Sequence, residues 1–261
     1  MNKVTVSSLL LVTALLWTLA CIQRVAAPEG VEDAGNTATG CGRSSCTGCC
    51  VGDRCETGSR RAVSLAASAT HLYWSVNTVD RAQSHVRRCS LPACNDAVDI
   101  SRGDPVFDLL LDGDNLYWFA EFQNDAGWET HLRRCAASGC LGGATTLLTG
   151  PTLRSLRVHG GLFYWAQGSS AGIRSCAVPD CTSPLTVVEN AYVHGLAVDN
   201  AGVFWASGSI GSGVSTCPLA GCTTPRLLFG GGTEESQSLV LGPTHLAYSS
   251  THDLFCCRGE A

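Results

Sequence analysis

An aromatic pair at an almost fixed interval constrains this chain more than any other feature. It appears as LYW (Tyr73, Trp74), LYW (Tyr117, Trp118), FYW (Tyr164, Trp165), VFW (Phe204, Trp205) and, weakened, LAY (Tyr248), at successive spacings of 44, 47, 40 and 43 residues. A second phrase, Cys-x4-Cys, keeps step with it as Cys89/Cys94, Cys135/Cys140, Cys176/Cys181 and Cys217/Cys222, its first cysteine advancing by 46, 41 and 41 residues. Repeats of this kind bury their apolar faces only by stacking on their neighbours, and a period of about 40–45 residues matches one four-stranded propeller blade.

The strands within a unit can be read from the fourth. HGLAVD alternates, NAG turns, VFWAS is β-rich, GSIGSG is a loop, VSTCPLAGC runs a strand into a tight turn, and PRLLFG leaves. No stretch holds apolar residues at helical spacing behind a plausible cap. The expected fold is therefore all-β, a five-bladed β-propeller of four antiparallel strands per blade, each blade with a stapled Cys-x4-Cys hairpin. The fifth unit, SLVLGPTHLAYSSTHDLFCC, supplies three strands and stops. A missing strand is commonly borrowed from the other end of the chain, which protects sheet edges. GDRCETGSRRAV is placed to do this, with a cystine from Cys55 to Cys256 or, by preference, Cys257. The alternative is an incomplete larger ring whose ends do not meet.

Residues flanking a short hairpin loop face each other with Cβ atoms about 5 Å apart, close to what a disulfide needs. CSLPAC and its repeats accordingly read as local cystines fixing the register of an outer strand pair that has little packing of its own. A metal site would need four ligands at one point, and pairs on successive blades lie far apart. The cluster CGRSSCTGCCVGDRC places Cys41, Cys46, Cys49, Cys50 and Cys55 within 15 residues. It has no core and needs covalent staples; CTGC as a redox pair lacks a following βαβ pattern. Sixteen cysteines in 261 residues fit an oxidising, extracytoplasmic compartment.

The N-terminus agrees. Lys3 followed by an uncharged run from Val4 to Leu19 has the layout of an export signal, residues 1–20. TLAC resembles the bacterial lipoprotein box, which implies lipidation at Cys21. Ordinary cleavage after Ala20 or Ala27 is the other reading. The resemblance implies an outer-membrane address, since Ile22 and not Asp follows Cys21; a secreted chain is the alternative. PEGVEDAGNTATG, residues 28–40, is polar and acidic without large apolar side chains, so 21–40 read as a tether; 41–61 form the Cys-rich segment, and 62–261 the propeller. With Cys21 acylated and eight cysteines in hairpins, Cys41, Cys46, Cys49, Cys50, Cys55, Cys256 and Cys257 remain. That number is odd, so their pairing stays open.

The LYW repeats resemble the YWTD-type blades of lipoprotein-receptor propellers and the broader NHL-type group, over residues 62–261. VxxCPLAGC…LLxxG…GLAVDxxxVFW also resembles exported Cys-rich repeat proteins of myxobacteria. Ser-Val, Phe-Ala, Ala-Gln and Ala-Ser stand where the receptor family has Thr-Asp after Trp74, Trp118, Trp165 and Trp205. The resemblance therefore implies fold, and neither that family's Asp contacts nor its ligands carry over.

Catalytic signals are weak. GSSAG, centred on Ser170, matches a nucleophile-elbow pattern but lies in a loop between antiparallel strands, with no parallel sheet beneath it. His71 and His245 occupy equivalent turn positions. Asp112, Asp114 and Asn115 in LDGDNLYW read as a tight turn, lacking the later Glu of a calcium loop. The aromatic stripe reads as inter-blade core. Arg87, Arg88, Arg133, Arg134 and Arg174 recur before the hairpin cysteines and read as solubilising charge on outer strands. A net charge of −5, with Lys3 the only lysine, offers no basic field for nucleic acid. The expected function is a non-catalytic binding module at the cell envelope, monomeric and without cofactor or metal, held to the membrane only by its lipid. Its partner would be an envelope protein or glycan. A glycan hydrolase or lyase, or a purely structural surface protein, are the alternatives.

Overall fold

The computed structural model describes residues 61–250 apart from 79, 126, 169–170, 208–212, 223, 230–235 and 243–244, together with the strand backbones Cys49–Val51, Arg54–Glu56 and Leu254–Arg258. Strands β1 (Cys49–Val51) and β2 (Arg54–Glu56) pair only with each other, Cys50 opposite Cys55. The first repeat sheet contains β3 (Arg61–Ala67), β4 (His71–Asn77), β5 (His85–Ser90) and β6 (Val98–Arg102), and the second β7 (Val106–Asp112), β8 (Asn115–Asn124), β9 (Gly127–Ala136) and β10 (Thr145–Gly150). The third contains β11 (Leu153–His159), β12 (Leu162–Gln167), β13 (Ile173–Ala177) and β14 (Leu185–Val188), and the fourth β15 (Val193–Asp199), β16 (Gly202–Ser207), β17 (Val214–Cys217) and β18 (Arg226–Phe229). A fifth sheet has three strands among the described residues, β19 (Ser236–Leu241), β20 (His245–Ser250) and β21 (Leu254–Arg258). Each sheet runs in chain order, every strand antiparallel to the next. Arg54–Glu56, expected to close the ring, thus lies in the β1–β2 hairpin, and β3 opens the first sheet.

The described residues fall into two compact units, one within 28–168 and 175–185, the other within 169–174 and 186–261. In the first, the aromatic pair explains how sheets stack. Consecutive strand residues point to opposite faces, so the tyrosine and the tryptophan of one pair serve two different cores. Tyr73 of the first sheet and Trp118 of the second share a buried cluster with Val86, Ile100 and Leu109. Tyr117 of the second and Trp165 of the third share the next, with Phe163 against Tyr117 at 4.8 Å between ring centres. The second unit repeats the rule in weaker form: Phe204 and Tyr248 pack against Ala197, Leu239 and Leu246. Large rings do this economically, each able to bury about 150–250 Å².

A polar contact runs beside each of the first two aromatic cores. Every innermost strand carries a register shift, at Ala62/Leu65, Phe107/Leu110, Arg154/Arg157, Val193/Gly195 and Ser236/Ser238. The bulge residue reaches the following sheet: Ser64 Oγ accepts from the Leu109 N–H at 2.7 Å, and Asp108 Oδ2 from the Ser155 N–H at 2.7 Å. The Asn77 side chain also meets Val106 as a strand would, donating to its carbonyl at 3.0 Å and accepting from its N–H at 2.8 Å.

The four staples form as expected, Cys89–Cys94, Cys135–Cys140, Cys176–Cys181 and Cys217–Cys222, with Cα separations of 4.9, 5.6, 4.9 and 5.5 Å. Their setting differs from the expectation in two ways. The second cysteine lies in the connection before the outer strand, so the bond closes a turn instead of bridging two strands. The turns are also well packed. Cys135 joins the core between the first and second sheets, Cys176 and Cys181 that between the second and third, and the Cys140 N–H donates to the Ile100 carbonyl at 2.7 Å.

Candidate binding site on the long hairpin

One element breaks the repeat. Strands β8 and β9 each have 10 residues, where their counterparts β4, β5, β12 and β13 have 7, 6, 6 and 5. The extra length is the segment around EFQNDAGWETH, paired continuously from Glu121↔Thr130 to Asn124↔Gly127. Gly127, at φ 122°, supplies a backbone conformation other residues resist where β9 begins.

The hairpin is braced at its base. Asp104, buried in the link between the first two sheets, pairs with Arg133 Nε at 3.1 Å. Burial pushes the Asp104 carboxyl above the usual aspartate range, against the opposing pull of Arg133 and His131. The Arg133 guanidinium also donates to Thr146 Oγ1 at 2.6 Å and lies 5.9 Å from the Phe122 ring. Phe122 packs on His131 at 4.4 Å, His131 Nε2 meets Glu129 at 3.2 Å, and Asn124 donates to Glu129 at 2.8 Å.

Above that brace stands Trp128, 53% exposed while Tyr117, Trp118 and Trp165 are buried. Arg81, in a 3-10 turn Arg81–Gln83 between β4 and β5, places its guanidinium 4.2 Å over the Trp128 ring. Arg81 also donates to the Glu121 carbonyl at 3.3 Å and pairs with the Glu121 carboxylate at 3.8 Å. Its turn is capped by Asp80, which accepts from the Ala82 N–H and from Gln83 Nε2. The result is a half-exposed aromatic ring near the end of the long hairpin, covered on one side by a guanidinium and set among acidic side chains.

The residues singled out from sequence fall elsewhere. Asp112 faces Asn115 across a tight turn through Gly113 and Asp114. His71 meets Thr70 Oγ1 at 2.9 Å on the opposite end of its sheet. Cys21, Cys41, Cys46 and Ser170 lie outside the described residues, and Cys49, Cys50, Cys55, His245, Cys256 and Cys257 are described as strand backbone only. The glycine that ends GSSAG has a packing role: at φ 97°, a Cβ on Gly172 would stand 1.9 Å from the Val188 carbonyl oxygen.

The recurring arginines need correction. Arg87 is buried, paired with Asp99 at 3.2 Å and 5.5 Å from the Trp74 ring, and Arg133 is the brace described above. Arg88 and Arg134 link sheets by reaching the next stapled turn, at the Ala137 carbonyl (3.1 Å) and Asp180 (3.0 Å). Arg88, Arg133 and Arg134 thus tie neighbouring repeats together and Arg87 ties two strands of one sheet; they do not merely keep the surface soluble. Trp128 itself was missed because it stands outside the aromatic period. Its signal was the length excess between Trp118 and Cys135.

No family model matches the chain, and no curated protein matches it. Solved structures do. The chain superposes on a nidogen/laminin complex with a TM-score of 0.58 at 17% identity, over 76% of each chain. The WD40 β-propeller domain of Doa1 gives 0.53 at 12%, over 75% of this chain and 64% of that one. A protein put forward as a gluconolactonase gives 0.51 at 14%, over 72% and 70%. The protein is a β-propeller. Each of its first four blades carries a cystine in the turn before its outer strand.

Proposed function

We propose that this chain is a non-catalytic binding module working outside the cytoplasm at the cell envelope, and that the β8–β9 hairpin is its contact element. One observation carries the reading: the hairpin that, among the described residues, outgrows the repeat bears near its end a solvent-facing tryptophan, a residue type enriched where binding energy concentrates. Rigid blades that present variable loops suit such a role, and a similar structure is itself a protein complex of nidogen and laminin. The four cystines favour an oxidising compartment. No helix among the described residues is long and apolar enough to cross a membrane. Attachment through an acyl group on Cys21 belongs to the same reading.

The test is affinity purification of the tagged chain from native envelopes, followed by mass spectrometry, beside a Trp128→Ala variant. Cross-linkers that attack lysine are unsuitable, because Lys3 is the only lysine. A near-stoichiometric partner that the variant recovers poorly is expected. Recovery of the bare chain from both would overturn the function. Movement of a Cys21→Ser variant from membrane to soluble fractions tests the anchor.

A further inference from the structure

From the surroundings of Trp128 we infer that the partner offers a basic segment, an arginine- or lysine-bearing stretch with an aliphatic side chain beside it. This rests on the hairpin being the contact element and adds the chemistry of what it contacts. Four carboxylates stand on the hairpin and the neighbouring turn, Asp80, Glu121, Asp125 and Glu129, against one guanidinium, Arg81, already engaged with Glu121 and the ring. Asp125 is exposed at the tip. The other arginines of the hairpin are engaged below, Arg133 by Asp104 and Arg134 by Asp180. An incoming acidic surface would meet mostly like charge and a single guanidinium already paired with Glu121, whereas an incoming cation meets an excess of carboxylates.

The apolar half of the requirement comes from Trp128. Arg81 covers the ring from one direction, and 53% of the residue remains open. Because the Phe122–His131–Glu129–Asn124 contacts hold the hairpin, little order has to be created on binding. An aliphatic side chain can pack on the exposed ring while its charged neighbour reaches the carboxylates.

The inference can be tested with the full, disulfide-intact chain in solution over three immobilised ten-residue peptides of matched length, Arg/Leu, Asp/Leu and Ser/Leu, and over a surface of neutral hexose oligosaccharides. Preference for Arg/Leu over Asp/Leu by about tenfold or more is expected, with binding weakened several-fold between 50 and 300 mM salt. Trp128→Ala should weaken Arg/Leu binding about tenfold. Glu121→Gln combined with Glu129→Gln should weaken it several-fold with no change in melting temperature beyond a few degrees. Equal or better binding of Asp/Leu, Arg/Leu binding untouched by Trp128→Ala, or hexose binding that requires Trp128 would each overturn the inference. So would a Trp128-dependent self-association seen by sedimentation. If the envelope experiment yields a partner but these peptides behave in the opposite sense, the chemistry assigned here is wrong and the binding function stands. If no partner is recovered at all, the function fails first.

Discussion

Two tryptophans on the same strand pair should respond to truncation in opposite ways. Trp118 on β8 is fully buried between the first two sheets, against Tyr73, Val86, Ile100 and Leu109. Replacing it with alanine removes the indole from a core closed on both sides, which costs about 3–5 kcal/mol from lost transfer energy and the cavity left behind. Against a total stability of about 5–15 kcal/mol, that loss is a large share of what holds the fold. Among the described residues Trp128 on β9, 53% exposed, belongs to no core cluster, and the ring contact it makes there is with the Arg81 guanidinium at 4.2 Å. Such a stack at an exposed site contributes about 0.5–1 kcal/mol, so Trp128→Ala should cost no more than about 1 kcal/mol. Urea unfolding followed by circular dichroism, with the cystines intact, reads both losses directly, and Trp118→Phe should fall between them. A Trp128→Ala loss above about 2 kcal/mol would show a structural ring and remove the basis for the binding site. A Trp118→Ala loss below about 1 kcal/mol would show that the aromatic pairs do not carry the stacking of sheets.

Three further outcomes are expected. Because the folded Asp104 carboxyl titrates above its unfolded value, the native state binds more protons in that window, and stability falls as pH rises through it. Arg133→Gln removes the opposing cation, leaves Asp104 buried and unpaired, and should cost about 3 kcal/mol at neutral pH, much of it recovered on acidification toward the ordinary aspartate range; melting curves between pH 4 and 7 check the sign. Asp108→Ala strips the Ser155 N–H of its acceptor and should cost about 1–3 kcal/mol, while Asp108→Asn, which keeps an acceptor and tolerates the φ of 52°, should restore most of it. Chemical denaturation of the Cys135→Ser/Cys140→Ser pair should show a loss of about 2 kcal/mol, the size expected for so short a closed loop.

Much of the architecture was legible from residue spacing alone. The interval between aromatic pairs gives the blade, the parallel march of Cys-x4-Cys gives the staples, and the even ten-residue offset from Ser64, Asp108, Ser155, Gly195 and Ser238 to Trp74, Trp118, Trp165, Trp205 and Tyr248 marks the bulge beside each core strand. That last signal is silent in the sequence alone, because Ser, Asp and Gly share no obvious chemistry until their position beside a bulge shows what they do. Ser64 and Asp108 both supply an acceptor to the following sheet, a task open to any short polar side chain at that place.

Period and pairing are properties of the one-dimensional chain, since side-chain alternation and strand length are local; the sequence therefore determined the all-β repeat, the strand order within a blade and the cystines. Which side of a strand meets another sheet depends on residues dozens of positions away, and only the tertiary structure decided it. It turned Arg87, Arg133 and Arg134 from surface charge into contacts with Asp99, Asp104 and Asp180, and packed the stapled turns into the cores between sheets. It likewise separated Trp128 from the other tryptophans. The same indole is core where neighbouring sheets close on both faces, and a contact surface where a hairpin has outgrown them.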